Sequence, residues 1–394
     1  MNYRFKKIIA FVLALVMLLS MSVASFADTV FIFDDLGRLV EIHRPNGDRT
    51  IFTYDEAGNI INISVITVDA VEIRTADELS NIRHNLAGSF RLVNDIDMTG
   101  VDWIPLGTRA MPFTGMIDGN GFTIKNLNIY RPGQEDVGLF GRNSGTIINI
   151  AVYDARVVGA NNTGIIAGHN TGNIIDSRAY GASVVNGRDN VGGIAGHNLG
   201  GILRTFTTSS VFGNNNVGGF AGLVAGGNIE QGYATGEVSG ENNVGGFVGH
   251  LTDSSSAIRN AFASGQVFSS GNGAGFVGLL ASGRIENSYS ISNNANGFSG
   301  NTSGMIINSY FDRDIILSSN FVTLINRAAI ESLLAVMEAR STQQMMSRDN
   351  FVGWDFYTIW DIDEGVNYPI LRALSEPPIG NINIDEDIAW LTFD

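Results

Sequence analysis

A short glycine-bounded phrase returns seven times along the middle of the chain, and that return restricts the fold more than any other feature. Val137-Gly138-Leu139-Phe140-Gly141 opens the series and Gly297-Phe298-Ser299-Gly300 closes it. The last glycines, from Gly141 to Gly300, stand 27, 28, 26, 27, 29 and 22 residues apart. A regular period of this length marks an array in which each unit buries its apolar face against its neighbours. Two other runs keep the same period. One begins at Ile147, Ile174, Ile202, Ile229, Ile258, Ile285 and Ile306. The other centres on Val157, Val184, Val211, Val238 and Val267 and precedes turns such as Asn242-Asn243. Three short β-favouring runs per period leave no room for a helix, which excludes leucine-rich and all-helical repeats. The expectation is an all-β chain. Residues 88–316 should form a parallel β-helix of three strands per coil, about nine coils and about 45 Å long at about 4.8 Å per coil.

Stacked coils place equivalent side chains on top of one another, so each column has its own expected role. Phe206, Tyr233, Phe262, Tyr289 and Tyr310 follow their isoleucines by four residues. Their spacing predicts an aromatic stack facing the core, in which Phe262→Ala would be costly. Asn149, Asp176, Arg204, Gln231, Asn260, Asn287 and Asn308 follow by two, a position where amides can bond from coil to coil. Arg204 interrupts that column and is expected either at a wet corner or paired with Asp176. Open solenoid ends would expose strand edges, so caps are expected. Thr75-Ala76-Asp77-Glu78 reads as a capping box opening a helix to about Asn85. Ile330, Leu333, Leu334 and Met337, then Ser341-Thr342-Gln343-Gln344, suggest short helices at the other end.

Val191-Gly192-Gly193-Ile194-Ala195-Gly196, Val244-Gly245-Gly246-Phe247-Val248-Gly249 and Ile285-Glu286-Asn287-Ser288-Tyr289 resemble the GLUG motif repeats of bacterial exported proteins. Trp103-Ile104-Pro105-Leu106-Gly107 and Phe113-Thr114-Gly115-Met116-Ile117-Asp118-Gly119 resemble that family's opening coils. Gly353-Trp354-Asp355-Phe356 and Tyr368-Pro369-Ile370-Leu371 resemble its closing segment. The resemblance implies a right-handed β-helix in a secreted or cell-surface, often adhesin-like, protein. Ahead of it, Phe33-Asp34-Asp35-Leu36-Gly37-Arg38-Leu39 returns as Tyr54-Asp55-Glu56-Ala57-Gly58-Asn59-Ile60, resembling the YD repeat of Rhs-type proteins. Asn46-Gly47 between them is a hairpin signal. The resulting organisation is a signal peptide at 1–27, a YD-like hairpin module at 28–68, and a cap with opening coils at 69–135. GLUG repeats at 136–316, a helical insertion with a C-terminal cap at 317–374 and an acidic tail at 375–394 complete it.

Arg4, Lys6 and Lys7 ahead of the apolar run Ile8–Leu19, with Ser25-Phe26-Ala27 behind it, read as a secretory signal cleaved before Asp28. No later stretch is long and apolar enough to suggest a membrane span. The expected location is therefore extracellular, possible surface association included. The chain has 48 glycines, 7 prolines, no cysteine and a net charge of −15. Absence of cysteine removes disulfides and thiolate chemistry. An acidic balance disfavours nucleic acid as a partner.

Chemistry is sparse. His169, His197 and His250 share one corner, but Leu223 stands in the intervening coil, so a three-histidine zinc site fails on distance and surface histidines are expected. Asp176, Arg178 and Arg204 are the one group at neighbouring coil positions that could suggest polysaccharide chemistry, and an ion-pair ladder is the expectation. Asp118-Gly119-Asn120-Gly121 and Asp361-Ile362-Asp363-Glu364-Gly365 look calcium-like but lack an EF-hand spacing, so turns are expected. Glu230, Arg259 and Glu286 follow equivalent isoleucines and alternate in sign. The expectation is a monomeric, adhesin-like solenoid with no catalytic residue, metal or cofactor. It would bind an extracellular polysaccharide or a host surface protein. The alternatives are a polysaccharide lyase or hydrolase and a purely structural spacer.

Overall fold

The computed structural model describes residues 30–34, 36, 38–43, 49–54, 60–66, 70–294, 296–318 and 339–374, in two units divided at Asp69 and Ala70. The expected signal segment, the Asn46-Gly47 turn, the Ile330–Met337 run and the acidic tail lie outside the described residues. In the first unit, Val30–Phe33, Leu39–His43, Arg49–Tyr54 and Ile60–Ile66 form an antiparallel sheet in chain order. The Asp34 carboxylate organises the first turn: it accepts from the Leu36 and Arg38 amides at 3.0 and 2.8 Å and from Arg38 Nε at 2.6 Å.

The second unit is a parallel β-solenoid. Phe90, Ile117, Ile147, Ile174, Ile202, Ile229, Ile258, Ile285 and Ile306 stand in unbroken parallel register, one per turn. Nine turns at about 4.8 Å give the expected length. A representative turn contains Ala195–Asn198, Gly201–Thr207, Ser210–Phe212 and Asn215–Gly218. The first three are the expected runs. The fourth is made by residues whose Asn-Asn pairs read as turns, and its equivalents build a four-stranded sheet of their own. One member of the valine column is corrected by a residue. Val157 pairs with Val185, which pairs with Val211, and Val184 points away from the core. Two adjacent valines carry no information about which is inside, and a one-residue slip exchanges faces.

The aromatic core comes from the glycine phrases themselves. Phe220, Phe247, Phe276 and Phe298 are buried and stacked at 4.6, 5.0 and 4.6 Å between ring centroids. The final glycine of each phrase is needed for close approach. A Cβ on Gly196 would lie 2.3 Å from the Thr163 amide nitrogen, and one on Gly278 would lie 2.3 Å from the Asn243 carbonyl carbon. Backbone of the preceding turn occupies the space a side chain would need.

The front cap is helix α1, Ala76–Asn81, continued by a 3-10 turn at Ile82–His84. Thr75 Oγ1 accepts from the Glu78 amide at 3.2 Å, while the Glu78 carboxylate reaches back to the Arg74 amide at 2.6 Å, one residue beyond the expected box. Beyond the last turn come α2, Arg313–Ser318, and α3, Thr342–Met345, the latter with a complete capping box from Ser341 and Gln344. Residues 346–374 then run back along the outside of the solenoid as a strap.

Candidate functional site

Every residue of the column from Asn149 through Asp176, Arg204, Gln231, Asn260 and Asn287 to Asn308 has φ between +45° and +55°. The common property of this column is a left-handed bend, which Asn adopts most readily. The bend interrupts period-two alternation. In Ala257–Ala263, Ile258 faces in before it, and Ala261 and Ala263 face in after it, so Phe262 faces out. The aromatic column therefore lies on the outer face, and the core-facing expectation is overturned. Its rings stack regularly: Phe206–Tyr233 at 4.6 Å, Tyr233–Phe262 at 4.8 Å and Phe262–Tyr289 at 5.0 Å.

The strap covers the C-terminal part of this column. Trp360 is fully buried, lies 6.4 Å from Phe262 and 5.9 Å from Tyr289, and donates from Nε1 to Asn260 Oδ1 at 3.1 Å. Trp354 donates to the Asn308 carbonyl and the Tyr289 hydroxyl donates to the Pro369 carbonyl, both at 2.7 Å. Together with Met345, Phe351, Phe356, Ile362 and Leu371, these residues form a second apolar cluster outside the solenoid core.

Before the bend the outward column reads Ile148, Ile175, Leu203, Glu230, Arg259, Glu286 and Ile307 in register. Arg259 Nε donates to Glu286 at 2.6 Å, and Arg284 pairs with the same carboxylate at 3.0 Å. Asn260 donates to Glu230 at 2.6 Å. Burial pushes the Glu230 carboxyl up to about 7, against the opposing hydrogen bond from Asn260 and the charge of Arg259, while Glu286 adds to the rise. Such a value suits a general acid. Its nearest partner in the column, Glu286, is two rungs away, about 10 Å, wider than the carboxyl spacings of glycosidases. Both arginines hold Glu286, so the pair does not assemble a catalytic centre.

Asp176, Arg178 and Arg204 divide in two. Arg204 donates to Asp176 from Nε at 2.5 Å and from a terminal nitrogen at 2.7 Å, fulfilling the paired alternative. Arg178 turns aside, its guanidinium 5.3 Å from the Tyr180 ring centre. The one carboxylate of the group is consumed by a salt bridge. A depression of about 440 Å³ lined by Ser239, Gly240, Val267, Phe268, Ser269, Ser270, Gly271, Asn294 and Asn296 holds no titratable side chain.

His169, His197, Leu223 and His250 stand in register, with the first two rings 4.8 Å apart. All three histidines are half-buried on the outer face, more enclosed than surface residues were expected to be. Burial, reinforced by the charges of His169 and Arg142, lowers His197 to about 4. Among the described residues no group of three His, Asp or Glu side chains could hold a metal ion. The calcium-like segments are turns: Asp118 accepts from the Asn120 amide at 2.8 Å and Asn149 at 2.9 Å, and Asp361 pairs with Arg372 at 2.8 Å.

Glu230 and His197 give stability opposite pH dependences. The folded value of Glu230 exceeds the ordinary 4.5, so its contribution is full below that pH and is lost as pH rises through about 7. The folded value of His197 lies below the ordinary 6.5, so it is without cost above that pH and destabilises as pH falls towards 4. Glu230→Gln should remove the fall in melting temperature that this group causes between pH 4.5 and about 7. His197→Leu, which repeats its neighbour Leu223, should remove the opposite change, the loss of stability as pH falls from 6.5 to about 4. An unchanged profile in either variant contradicts the assignment for that group.

Sequence reasoning missed two polar ladders. Asn243 donates to Asn216, Asn216 to Asn190, Asn190 to Asn162 and Asn162 to Asp136, at 2.9, 2.8, 2.8 and 2.8 Å. Arg142 Nε closes the chain on Asp136 at 2.6 Å. All five ladder residues have φ between +52° and +57°. The signal was the second member of each pair, from Glu135-Asp136 through Asn161-Asn162, Asp189-Asn190 and Asn215-Asn216 to Asn242-Asn243. A second, fully buried ladder joins Asn143, Asn170 and Asn198 at 2.7 Å per step. Asn190→Ala strands a donor on Asn216 and an acceptor on Asn162, and should cost about 1–3 kcal/mol in denaturant unfolding. No loss would mean that the ladder is incidental.

In-register ladders, an outward face of aromatic and charged columns and an external strap define a β-solenoid repeat protein. Residues 240–267 match the GLUG motif and residues 33–70 match the RHS Repeat. The chain is 32% identical to halomucin of Haloquadratum walsbyi over 156 residues, 36% of this chain and 2% of halomucin. It is 42% identical over 77 residues to a candidate Gly-rich membrane protein of Evansella cellulosilytica, 18% of this chain and 9% of that protein. The chain thus spans a small fraction of the curated relatives it matches. Its fold resembles that of a candidate immunoglobulin A1 protease from Bacteroides ovatus, with TM-score 0.50 and 23% identity over 77% of this chain and 92% of that one. That likeness concerns the fold alone.

Proposed function

We propose that the protein is a secreted or cell-surface solenoid that binds an extracellular polymer, a glycan in the first instance, without processing it. The observation carrying this reading is the outward face ahead of the strap, where Tyr153, Tyr180, Arg178 and Phe206 stand in neighbouring turns and the nearby Asp176 is held by Arg204. Aromatic faces and planar guanidinium groups supply contact area and hydrogen bonds at low conformational cost. Repetition along the axis adds weak contacts in a row, and linked weak contacts gain through avidity. The relatives, one named halomucin and one named a Gly-rich membrane protein, support a place at or outside the cell surface.

Affinity electrophoresis of the full chain through gels containing neutral or acidic polysaccharides tests this. Retardation on at least one glycan is expected, with modest affinity. Uniform mobility on all of them contradicts the glycan reading.

A further inference from the structure

Arg178 is a half-buried cation of the outward face with an aromatic partner and, among the described residues, no carboxylate in a salt bridge with it. Its neighbour Asp176 is held bidentately by Arg204, so these three side chains leave one positive charge on a chain whose net charge is −15. Arg178 occupies the same column as the aromatic stack: it pairs with Phe206, and Phe206 with Tyr233. Tyr180 lies under its guanidinium and meets Tyr153 in a tilted contact, 5.0 Å between ring centroids. Trp360 and Trp354 engage the column at Phe262 and Tyr289, and the last turn of the strap, Arg372–Leu374, reaches the strand Gly201–Thr207 that carries Phe206.

We propose that the strip Tyr180–Arg178–Phe206 is a binding site for anionic glycans of the polyuronate class. This assignment rests on the glycan-binding reading above. The guanidinium receives a sugar carboxylate through paired N–H donors, a geometry that an ammonium does not reproduce. Tyr180 on the same rung and Phe206 on the next supply ring edges and apolar surface against which the sugars lie. Rungs about 4.8 Å apart let a polymer lying along the solenoid axis meet one rung after another. Partial burial strengthens the charged contact, and charge complementarity selects an acidic polymer over a neutral one.

The test compares retardation of the full chain by polygalacturonate and by dextran, for the natural protein and for Arg178→Gln, Arg178→Lys and Phe206→Leu. Polygalacturonate should retard the natural protein more strongly than dextran, and added salt should weaken that effect. Arg178→Gln should lower the affinity about tenfold or more at unchanged melting temperature, with Arg178→Lys intermediate. Phe206→Leu should weaken binding to both polymers. Arg156→Gln, on the exposed rung beside Asn128, should bind like the natural protein. Full retention by Arg178→Gln, or equal retention on dextran, overturns this site while leaving glycan binding standing. Absence of retention on any glycan overturns both.

Discussion

Phe247→Ala should lower the stability of the solenoid by about 3–5 kcal/mol, the usual cost of truncating a buried phenylalanine. Phe247 is fully buried and sandwiched, with Phe220 4.6 Å on one side and Phe276 5.0 Å on the other. Truncation opens a cavity and removes two ring contacts worth about 0.5–1.5 kcal/mol each. Repeat arrays couple neighbour to neighbour, so protection of backbone amides should fall in the turns of Phe220 and Phe276 as well. Denaturant unfolding with hydrogen exchange would show both effects. An unchanged midpoint contradicts the placement of this ring in the core.

Trp360→Ala should detach the strap while leaving the solenoid folded. The indole is fully buried, contacts Phe262, Tyr289 and Trp354, and donates to Asn260. Its truncation should cost about 3–5 kcal/mol. The strap has its own apolar cluster, so the loss should appear as local opening. Limited proteolysis should cut between residues 346 and 374 at a rate raised by orders of magnitude, with the turns from Phe90 to Ile285 still protected. Loss of protection throughout the solenoid would mean that strap and core form one cooperative unit.

The contrast between Phe247 and Phe262 shows what the sequence could convey. Period, strand runs, isoleucine column and the starts of the helices at Thr75 and Ser341 were legible because each rests on spacing or on local hydrogen bonding. Facing was legible only where alternation is unbroken. A left-handed residue at Asn260 shifts the phase, and φ is not readable from an Asn that also occurs in ordinary turns. Val184 and Val185 illustrate the same limit without a bend. The pairing of Arg204 with Asp176 was one of two readings open to the sequence, because charge opposition across 28 residues coincides with one coil. The strap over the aromatic column was not, because Trp360 meets Asn260 across 100 residues and no repeat links them. Similarly, the raised carboxyl of Glu230 depends on burial, while its sequence neighbours show only alternating charge.

Binding without turnover is the central claim, and the length of a bound polymer reports on it most directly. The full-length protein would be incubated for days with polygalacturonate in molar excess, and the polymer recovered and sized, with reducing ends and unsaturated products counted alongside. The expected result is stoichiometric, salt-sensitive binding with the polymer distribution unchanged. Progressive shortening with products in excess of protein, abolished by Glu230→Gln or Arg178→Gln, would contradict the account and make the outward face an active site.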